Sequence, residues 1–336
     1  MSAGGSGLVR FQWIADIGNQ SANSQFFHER FRPWRRYHYV VFLKAMGVRA
    51  AALLRRLRDK DVPAIFDANV NYYELGGEEY YRDMLPTERQ KRQAIEMTEQ
   101  ASAVVADSQY ISGQCAPYNA NVKWIPDNVR LDLVPPYQPY DYSTGRLRLL
   151  WSGQVAKLFE LLHIESELRR YAHDIELVLV TNPLKGLERI RPDVRLRLTD
   201  LLESLDVRIV DYRDPLQLLQ VYSEGGVSIS PRFLDSPYNL GHTEWKISLA
   251  MACGRVVICS PVPSYSTVQE RAGGVGIRVV DSPVGWASIF DQILTGGFDF
   301  ATEERGAREV IRKYYSTDVV AGQYSEFLES VVGSTR

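Results

Sequence analysis

The chain is poor in cysteine and histidine, with three and five of these residues among 336. No Cys-x-x-Cys pair and no Cys/His metal spacing is present, which argues against a zinc module and a disulfide framework. Cys253 and Cys259 lie in apolar runs, so we expect these residues and Cys115 to be reduced core thiols. The sequence therefore predicts no bound metal.

Neither an excess of one charge nor a long hydrophobic run is present. The formal net charge is −2, so the composition gives no electrostatic argument for nucleic-acid binding. No stretch approaches the roughly 20 apolar residues of a membrane span. The N-terminal residues also lack the charged-then-apolar order of a secretory signal. We therefore expect a soluble, cytoplasmic protein that binds no nucleic acid.

Several familiar catalytic signatures are missing as well. The sequence contains no HExxH, no Walker A sequence, no GxGxxG fingerprint and no triad order of Ser, His and Asp. Function must therefore be argued from the polar loops that the fold brings together.

Short β-type runs alternate with helical patterns, which is typical of α/β architecture with parallel sheets. The length and the 45% hydrophobic content suffice for two cores. A Pro- and Tyr-rich stretch at 135–145 has the composition of a linker. We predict two Rossmann-like, doubly wound domains that face a cleft. Their bounds are an N-terminal acceptor domain over 8–134, the linker over 135–145, a C-terminal nucleotide-sugar domain over 146–302, and terminal helices over 303–336 that pack back toward the N-terminal domain.

The predicted strands place the functional loops. In the first half they are Val9–Ile14, Tyr39–Phe42, Ala64–Phe66, Ala103–Ala106 and Val122–Ile125. Because ligands of open parallel sheets bind beyond the carboxyl ends of the strands, we expect the site in the loops at those ends.

The turn after the strand Leu147–Trp151 is the first candidate for an anion site. Gly153 allows close backbone approach, and Lys157, one turn into the next helix, can reach a diphosphate. The alternative is an ordinary turn with a solvated lysine.

The second candidate is the polar loop before a helix predicted over 244–253. The free N–H groups at the start of a helix favour an anion. His242 and Lys246 share a helix face, and Thr243 can cap the helix or bind a phosphate oxygen, with Asn239 nearby. The alternative is an N-cap with scattered polar side chains.

Two polar loops of the first half are further candidates. The loop Asp16–Asn23 follows the first predicted strand, where backbone N–H groups could meet a ligand. The loop Asp67–Tyr73 has more polar groups than a turn needs, and Asp67 could act as a base or orient an acceptor hydroxyl. An Asx turn is the alternative for the second loop.

A basic and aromatic cluster covers residues 28–39. We expect it to be a solvated face. The alternative is a patch for an anionic acceptor or for weak peripheral binding to the inner face of a membrane.

Together these pieces resemble the GT-B glycosyltransferases of the large family 4 group, over most of the chain. The segment 104–129 resembles the family passage "VVAVSEY…VTVIPNGVD", and the turn 152–157 resembles its Gly…Lys turn. The segment 207–222 is similar to the region against the nucleotide base. The segment 236–254 resembles the donor-site helix "PFNxxKSxxKxLEYxAxG" and ends in the word AMACG, and 281–286 resembles "D-SPEEW".

The resemblance implies sugar transfer from a UDP- or GDP-linked donor to a hydroxyl of a glycan, lipid-linked sugar or metabolite, with retention and without a metal. Lys157 and His242 would stabilise the leaving diphosphate, and Asp67 would be the third catalytic residue. The acceptor would contact Asn69, Asn71 and Tyr72. The donor-binding set is Gly18, Asn19, Gly153, Gln154, Lys157, Tyr212, Asn239, His242, Thr243 and Lys246.

The chain departs from the family pattern at two carboxylates. The family Glu that precedes AMACG and holds the donor ribose is Leu249 here, and its partner eight residues earlier is Gly241. Glu244 is a nearby substitute whose side chain would point differently. A nucleotide-sugar-binding partner protein without turnover is therefore the alternative function, and another two-domain Rossmann enzyme, such as a sugar epimerase, is a third.

Overall fold

The computed structural model describes residues 7–21, 31–142 and 146–333. Its first half contains wide π-type turns over Leu8–Gln12 and the elements α1 (Trp13–Ser21), β1 (Val40–Leu43), α2 (Val48–Arg58), β2 (Ala64–Ala68), α3 (Glu88–Gln100), β3 (Ala103–Ala106), α4 (Gln109–Cys115) and β4 (Val122–Trp124). Thr87 caps α3 in the capping box that the sequence predicts.

The second half begins with β5 (Leu147–Gly153) and a 3₁₀ segment over Val155–Ile164. The elements that follow are α5 (Glu165–Arg170), β6 (Ile175–Thr181), α6 (Pro192–Glu203), β7 (Val207–Asp211), α7 (Pro215–Ser223), β8 (Val227–Ser230), α8 (Pro237–Leu240), α9 (Trp245–Ala252), β9 (Val257–Cys259), α10 (Pro263–Ala272), β10 (Ile277–Val279), α11 (Pro283–Leu294), α12 (Phe300–Tyr314) and α13 (Thr317–Gly333).

The larger sheet has the strand order β10-β9-β8-β5-β6-β7, and all of its pairs are parallel. The chain starts at the centre with β5, winds to one edge, and then returns to build the other. This is the doubly wound arrangement, with its switch point between β5 and β8. The prediction of an α/β fold with two parallel sheets is confirmed.

The smaller sheet has the sequential order β1-β2-β3-β4. Because right-handed crossovers in one direction leave their connections on one face, α2, α3 and α4 share a core with that face through Leu54, Met97 and Ile111. The opposite face is covered by α1 and α13, which lie at the two ends of the chain. Each sheet thus has two covered faces, as parallel sheets require.

The prediction of a first strand over Val9–Ile14 is wrong, because this stretch is helical. Val9, Phe11 and Trp13 alternate as in a strand, but the buried residues include Val9, Trp13 and Ile14, which follow helical spacing. Gly18 and Asn19 lie within α1 instead of at a strand-to-helix corner, so the loop predicted over Asp16–Asn23 is helical from Asp16 to Ser21. The Asn19 side chain, residues 22–23 of the predicted loop and residues 28–30 of the basic cluster fall outside the described residues.

A buried ion pair fixes this first helical segment to the smaller sheet. Arg10 Nε donates to Asp67 Oδ1 at 2.9 Å, and its Nη1 donates to the carbonyl oxygen of Ile125 at 3.1 Å. Tyr324 of α13 donates its hydroxyl to Asp67 Oδ2 at 3.1 Å. Burial raises the pKa of the Asp67 carboxyl, while Arg10 opposes that rise.

A segment of the first half also enters the core of the second. Tyr80 stacks on Phe159 and Phe233, with ring centroids 4.5 and 4.8 Å apart, while Tyr81 and Met84 are buried in the same core. The backbone carbonyl of Tyr80 accepts from Arg191 N at 2.9 Å. The two halves are therefore joined away from the linker as well as through it. Over the described ranges, no helix has both the length and the apolar content to cross a bilayer.

We expect Asp67→Asn to lower the free energy of unfolding by about 3 kcal/mol, because it removes the closer of the two carboxylates that pair with the buried Arg10 guanidinium and leaves only Asp127. Urea unfolding followed by circular dichroism measures the change. The control is Glu96→Gln, whose partner Arg55 is 45% exposed, and its effect should stay below about 1 kcal/mol. Equal effects in the two variants would contradict a stabilising role for the Arg10–Asp67 pair.

Candidate functional site

A cavity of about 400 Å³ lies between the two halves, at the carboxyl ends of the strands of both sheets. Its N-terminal wall includes Lys44, Asn69, Asp107 and Asp127, which follow β1, β2, β3 and β4 respectively. This is where open parallel sheets bind their ligands.

The C-terminal wall is strongly cationic. Lys157, Arg232, His242 and Lys246 all line it, and Lys157 Nζ lies 2.6 Å from His242 Nε2. Lys246 Nζ donates to the carbonyl oxygen of Ser152 at 3.3 Å. Arg232 is paired with Glu160 at 3.0 Å, behind the wall. Of the described residues, none that lines this wall carries a carboxylate.

Burial and mutual repulsion disfavour the charged forms of these side chains. Burial, with Arg232 and Lys246 nearby, lowers the pKa of Lys157 well below its ordinary value. Burial and the neighbouring Lys157 do the same to the pKa of His242. Burial and Arg232 lower the pKa of Lys246 to about 7. An anion in the cavity would reverse each of these shifts, so the wall is complementary to a group such as a diphosphate.

Two glycines, Gly153 and Gly241, allow the backbone to pass close to neighbouring side chains at the cavity. A β-carbon at Gly153 would lie 2.5 Å from the Trp151 ring. A β-carbon at Gly241 would lie 2.7 Å from the β-carbon of Asn71, across the boundary between the halves. A glutamate at position 241 therefore has no room in this arrangement.

The cavity gathers most of the predicted site residues. Those that line it are Asn69, Asn71, Gly153, Gln154, Lys157, Tyr212, His242, Thr243 and Lys246. Asn71 has little capacity left for a ligand, because its Nδ2 donates to Glu74 Oε2 and to the carbonyl oxygen of Pro237, both at 2.9 Å. It is a residue of the boundary between the halves.

Besides Gly18 and Asn19 in α1, three predicted residues lie elsewhere. Asp67 is fully buried in its ion pair and cannot present a carboxylate to an acceptor. Asn239 is also fully buried, and its Nδ2 donates to the carbonyl oxygen of Phe233 at 2.7 Å, so it shapes the loop before α9. Tyr72 packs against the N-terminal core instead of lining the cavity.

The positions that carry carboxylates in the resembling family take other roles here. Leu249 is fully buried in the core around α9. Glu244 is 1% exposed and lies off the cavity lining. Burial and the neighbouring Asp127 raise the pKa of Glu244 to about 8. Neither side chain lines the cavity.

Sequence reasoning missed Arg232, Asp107 and Asp127. Asp107 directly follows β3, while Arg232 and Asp127 come two and three residues after β8 and β4. A polar residue just beyond a buried strand was the available signal. Within the described residues, no group of three or more His, Cys, Asp or Glu side chains is arranged to hold a metal ion.

The sequence matches no protein-family model and no curated protein. Solved structures do match. HepE from Anabaena, in complex with UDP and glucose, aligns with a TM-score of 0.67 at 16% identity over 88% of this chain and 78% of its own. The chain has the GT-B fold. Sucrose-phosphate synthase from Thermosynechococcus elongatus aligns with a TM-score of 0.62 at 16% identity, over 89% of this chain and 74% of its own. The catalytic domain of starch synthase IV from Arabidopsis thaliana, bound to ADP and acarbose, aligns with a TM-score of 0.60 at 12% identity, over 88% of this chain and 73% of its own.

We expect Lys157→Met to stabilise the ligand-free protein by about 0.5–2 kcal/mol, the usual gain when a strained functional site is relaxed. A lysine whose pKa is lowered by folding destabilises the folded state wherever the unfolded chain is protonated. The gain should therefore shrink as the pH approaches 10.5, the ordinary value for lysine. Thermal unfolding at several pH values measures it, and a loss of stability at pH 7 would contradict this description of the wall.

Proposed function

We propose that this chain is a glycosyltransferase of the family 4 type, which moves a sugar from a nucleotide diphosphate sugar to an acceptor hydroxyl. The observation that carries the proposal is the cationic C-terminal wall, where Lys157, His242, Lys246 and Arg232 converge on one cavity. The neighbours support it, since HepE was solved with UDP-glucose and starch synthase IV with ADP.

The donor diphosphate would contact Lys157, His242 and Thr243 near the start of α9, where the helix N–H groups add partial positive charge. The nucleotide base, UDP- or GDP-linked, would lie near Tyr212, which follows β7 on the same wall. Gly153 and Gln154 would line the path between them.

Leaving-group stabilisation would be electrostatic. Charge grows on the diphosphate as the bond to the sugar breaks, and fixed cations in a water-poor cavity stabilise that charge strongly. We propose that these side chains take the role that a metal ion has in other transferases. Because the sequence resembles this family, we also propose that the transfer retains the configuration of the anomeric carbon. The anomer of the product tests this.

A nucleotide-sugar-binding partner protein is the second candidate, and one observation favours it. Leu249 and Gly241 leave the C-terminal wall without a carboxylate for the ribose hydroxyls. Such a protein would bind the nucleotide through its diphosphate and would turn nothing over.

Calorimetry with UDP-, GDP-, ADP- and TDP-sugars should show binding of at least one nucleotide, followed by slow hydrolysis of the donor that binds. In Lys157→Ala the hydrolysis rate should fall about 10²–10³-fold, because one charge-assisted contact to the leaving group is lost. The matched control is Lys185→Ala, an exposed lysine outside the cavity lining. Binding without hydrolysis would select the partner protein, and the absence of any nucleotide binding would reject both functions.

Nucleotide affinity should fall as the pH rises above about 7. A bound diphosphate favours the protonated forms of Lys157 and Lys246, so it raises their lowered pKa values and the complex holds more protons than the free protein. The diphosphate of a nucleotide sugar is fully ionised throughout this range, because both of its phosphates are esterified and lack the second ionisation near pH 6 that a terminal phosphate has. Titrations at pH 8 in two buffers of different ionisation enthalpy should reveal proton uptake, and an affinity that does not change between pH 8 and 10 would argue against a diphosphate at this wall.

A further inference from the structure

We propose that Tyr238 is a positioning residue of the cationic wall, and that the face of its ring holds the Lys157 ammonium group where a diphosphate would bind. This assignment rests on the proposed function and adds a residue that the predicted site does not contain.

Tyr238 contacts both of the side chains that would meet the leaving group. Lys157 Nζ lies 4.8 Å from the centroid of the Tyr238 ring, within the roughly 6 Å over which an aromatic face attracts a cation. The His242 ring lies 5.2 Å from the same ring at an interplanar angle of 79°, which is the edge-to-face arrangement that aromatic pairs favour. Since Lys157 Nζ and His242 Nε2 are 2.6 Å apart, the three side chains form one cluster, and all three line the cavity.

The other cations of the wall are held by different groups. Lys246 donates to a backbone carbonyl oxygen at 3.3 Å, and Arg232 pairs with a carboxylate at 3.0 Å. Lys157 instead contacts His242 and the ring of Tyr238. The face of that ring carries a negative electrostatic potential, which favours a positive charge above it.

An aromatic face suits this place better than a carboxylate would. A carboxylate beside Lys157 would pair with the ammonium group and repel a diphosphate, whereas a ring attracts the cation without carrying a net charge. The surroundings of Lys157 make such support useful. Burial lowers its pKa, Arg232, Lys246 and Lys44 lower it further, and Glu160 opposes them. The ring therefore favours the charged lysine and leaves the wall complementary to an anion.

The position of the ring is fixed by both halves of the chain. Tyr238 lies in α8 between Pro237 and Asn239. The carbonyl oxygen of Pro237 accepts from Asn71 Nδ2 at 2.9 Å, across the boundary between the halves. Asn239 Nδ2 donates to the carbonyl oxygen of Phe233 at 2.7 Å. Because both neighbours in sequence are anchored, the direction of the ring is set before a ligand arrives, as a preorganised site requires.

The contribution of the ring to nucleotide affinity should depend on pH. The ring attracts protonated Lys157, and it has no such attraction for the neutral amine. Where Lys157 is already protonated in the free protein, the free and the bound forms gain equally, so the affinity is unchanged. Above the lowered pKa of Lys157, the charged form is present in the complex alone, and the ring then adds to the affinity.

Calorimetry with the nucleotide that the panel selects tests this role. In Tyr238→Leu the Kd should rise about 5–30-fold at pH 9, the change that corresponds to a largely desolvated cation–π contact, and the rise should shrink toward pH 6. Tyr238→Phe keeps the ring face and should stay within about twofold of the parent. The control, Tyr171→Leu, removes a buried ring of the same core outside the cavity lining and should leave the Kd unchanged.

Two further variants separate the charge effect from packing. Trifluorophenylalanine at position 238 keeps the size of the ring but removes the negative potential of its face. Its Kd at pH 9 should therefore exceed that of Tyr238→Phe, while the unfolding temperatures of the two variants agree. In a Lys157→Met background, Tyr238→Leu should change the Kd by less than about twofold, because the ring acts through Lys157.

A parent-like Kd in Tyr238→Leu at pH 9, or equal Kd values for the phenylalanine and trifluorophenylalanine variants, would overturn this role and leave the proposed transferase intact. A loss of affinity that is the same at every pH, or that persists in the Lys157→Met background, would also overturn it, since Tyr238 would then act without Lys157. Binding without hydrolysis would reject the transferase and leave this role standing, because the readout is affinity. If the parent binds no nucleotide, both proposals fail together.

Discussion

The close approach of the two halves at Asn71 and Gly241 is the constraint on which the site depends. Asn71 Nδ2 donates to the carbonyl oxygen of Pro237 at 2.9 Å, and Gly241 has no space for a β-carbon beside it. Gly77 repeats the pattern, because a β-carbon there would lie 2.8 Å from the Cα of Ser236. Together with Tyr80 in the opposite core, these contacts hold the carboxyl edges of two sheets face to face. The cavity is what remains between those edges.

The two walls have opposite chemistry, and the contrast has a physical cost. The C-terminal wall concentrates Lys157, His242 and Lys246, and no described residue of that wall carries a carboxylate. The N-terminal wall holds Asp107, whose buried Oδ1 has no hydrogen-bond partner among the described residues. Neither arrangement stabilises the empty protein, because buried charges and orphaned polar atoms both disfavour folding. Strain of this kind is expected where a ligand completes the interactions. In the proposed transferase, the cations of the C-terminal wall would bind the leaving diphosphate and the N-terminal wall would bind the acceptor.

The sequence was sufficient for the sheets and for the cationic turn, because both depend on local patterns. Buried strands followed by Gly153 and Lys157 can be recognised from residue order alone. The helical conformation of Val9–Ile14 could not be recognised in this way, because its three alternating apolar residues also fit a strand. The surface on which this segment packs is supplied by α13, some 300 residues later in the chain. The roles of Asp67 and Asp107 were likewise beyond local reasoning. Both follow the same pattern of a carboxylate at a strand end, and only the long-range partner Arg10 makes one a structural ion pair and leaves the other at the cavity.

The two glutamates of the family that the sequence resembles would not fit at positions 241 and 249 of this structure. A side chain at Gly241 would collide with Asn71, so the halves can approach this closely only if that carboxylate is absent. A glutamate at position 249 would be fully buried, where an isolated charge is expensive. Leucine at 249 instead fills the core beneath α9. The close contact thus excludes a carboxylate at position 241, and burial disfavours one at position 249. In the proposed function, the cations of this wall would therefore be the main attachment of a nucleotide, through its diphosphate.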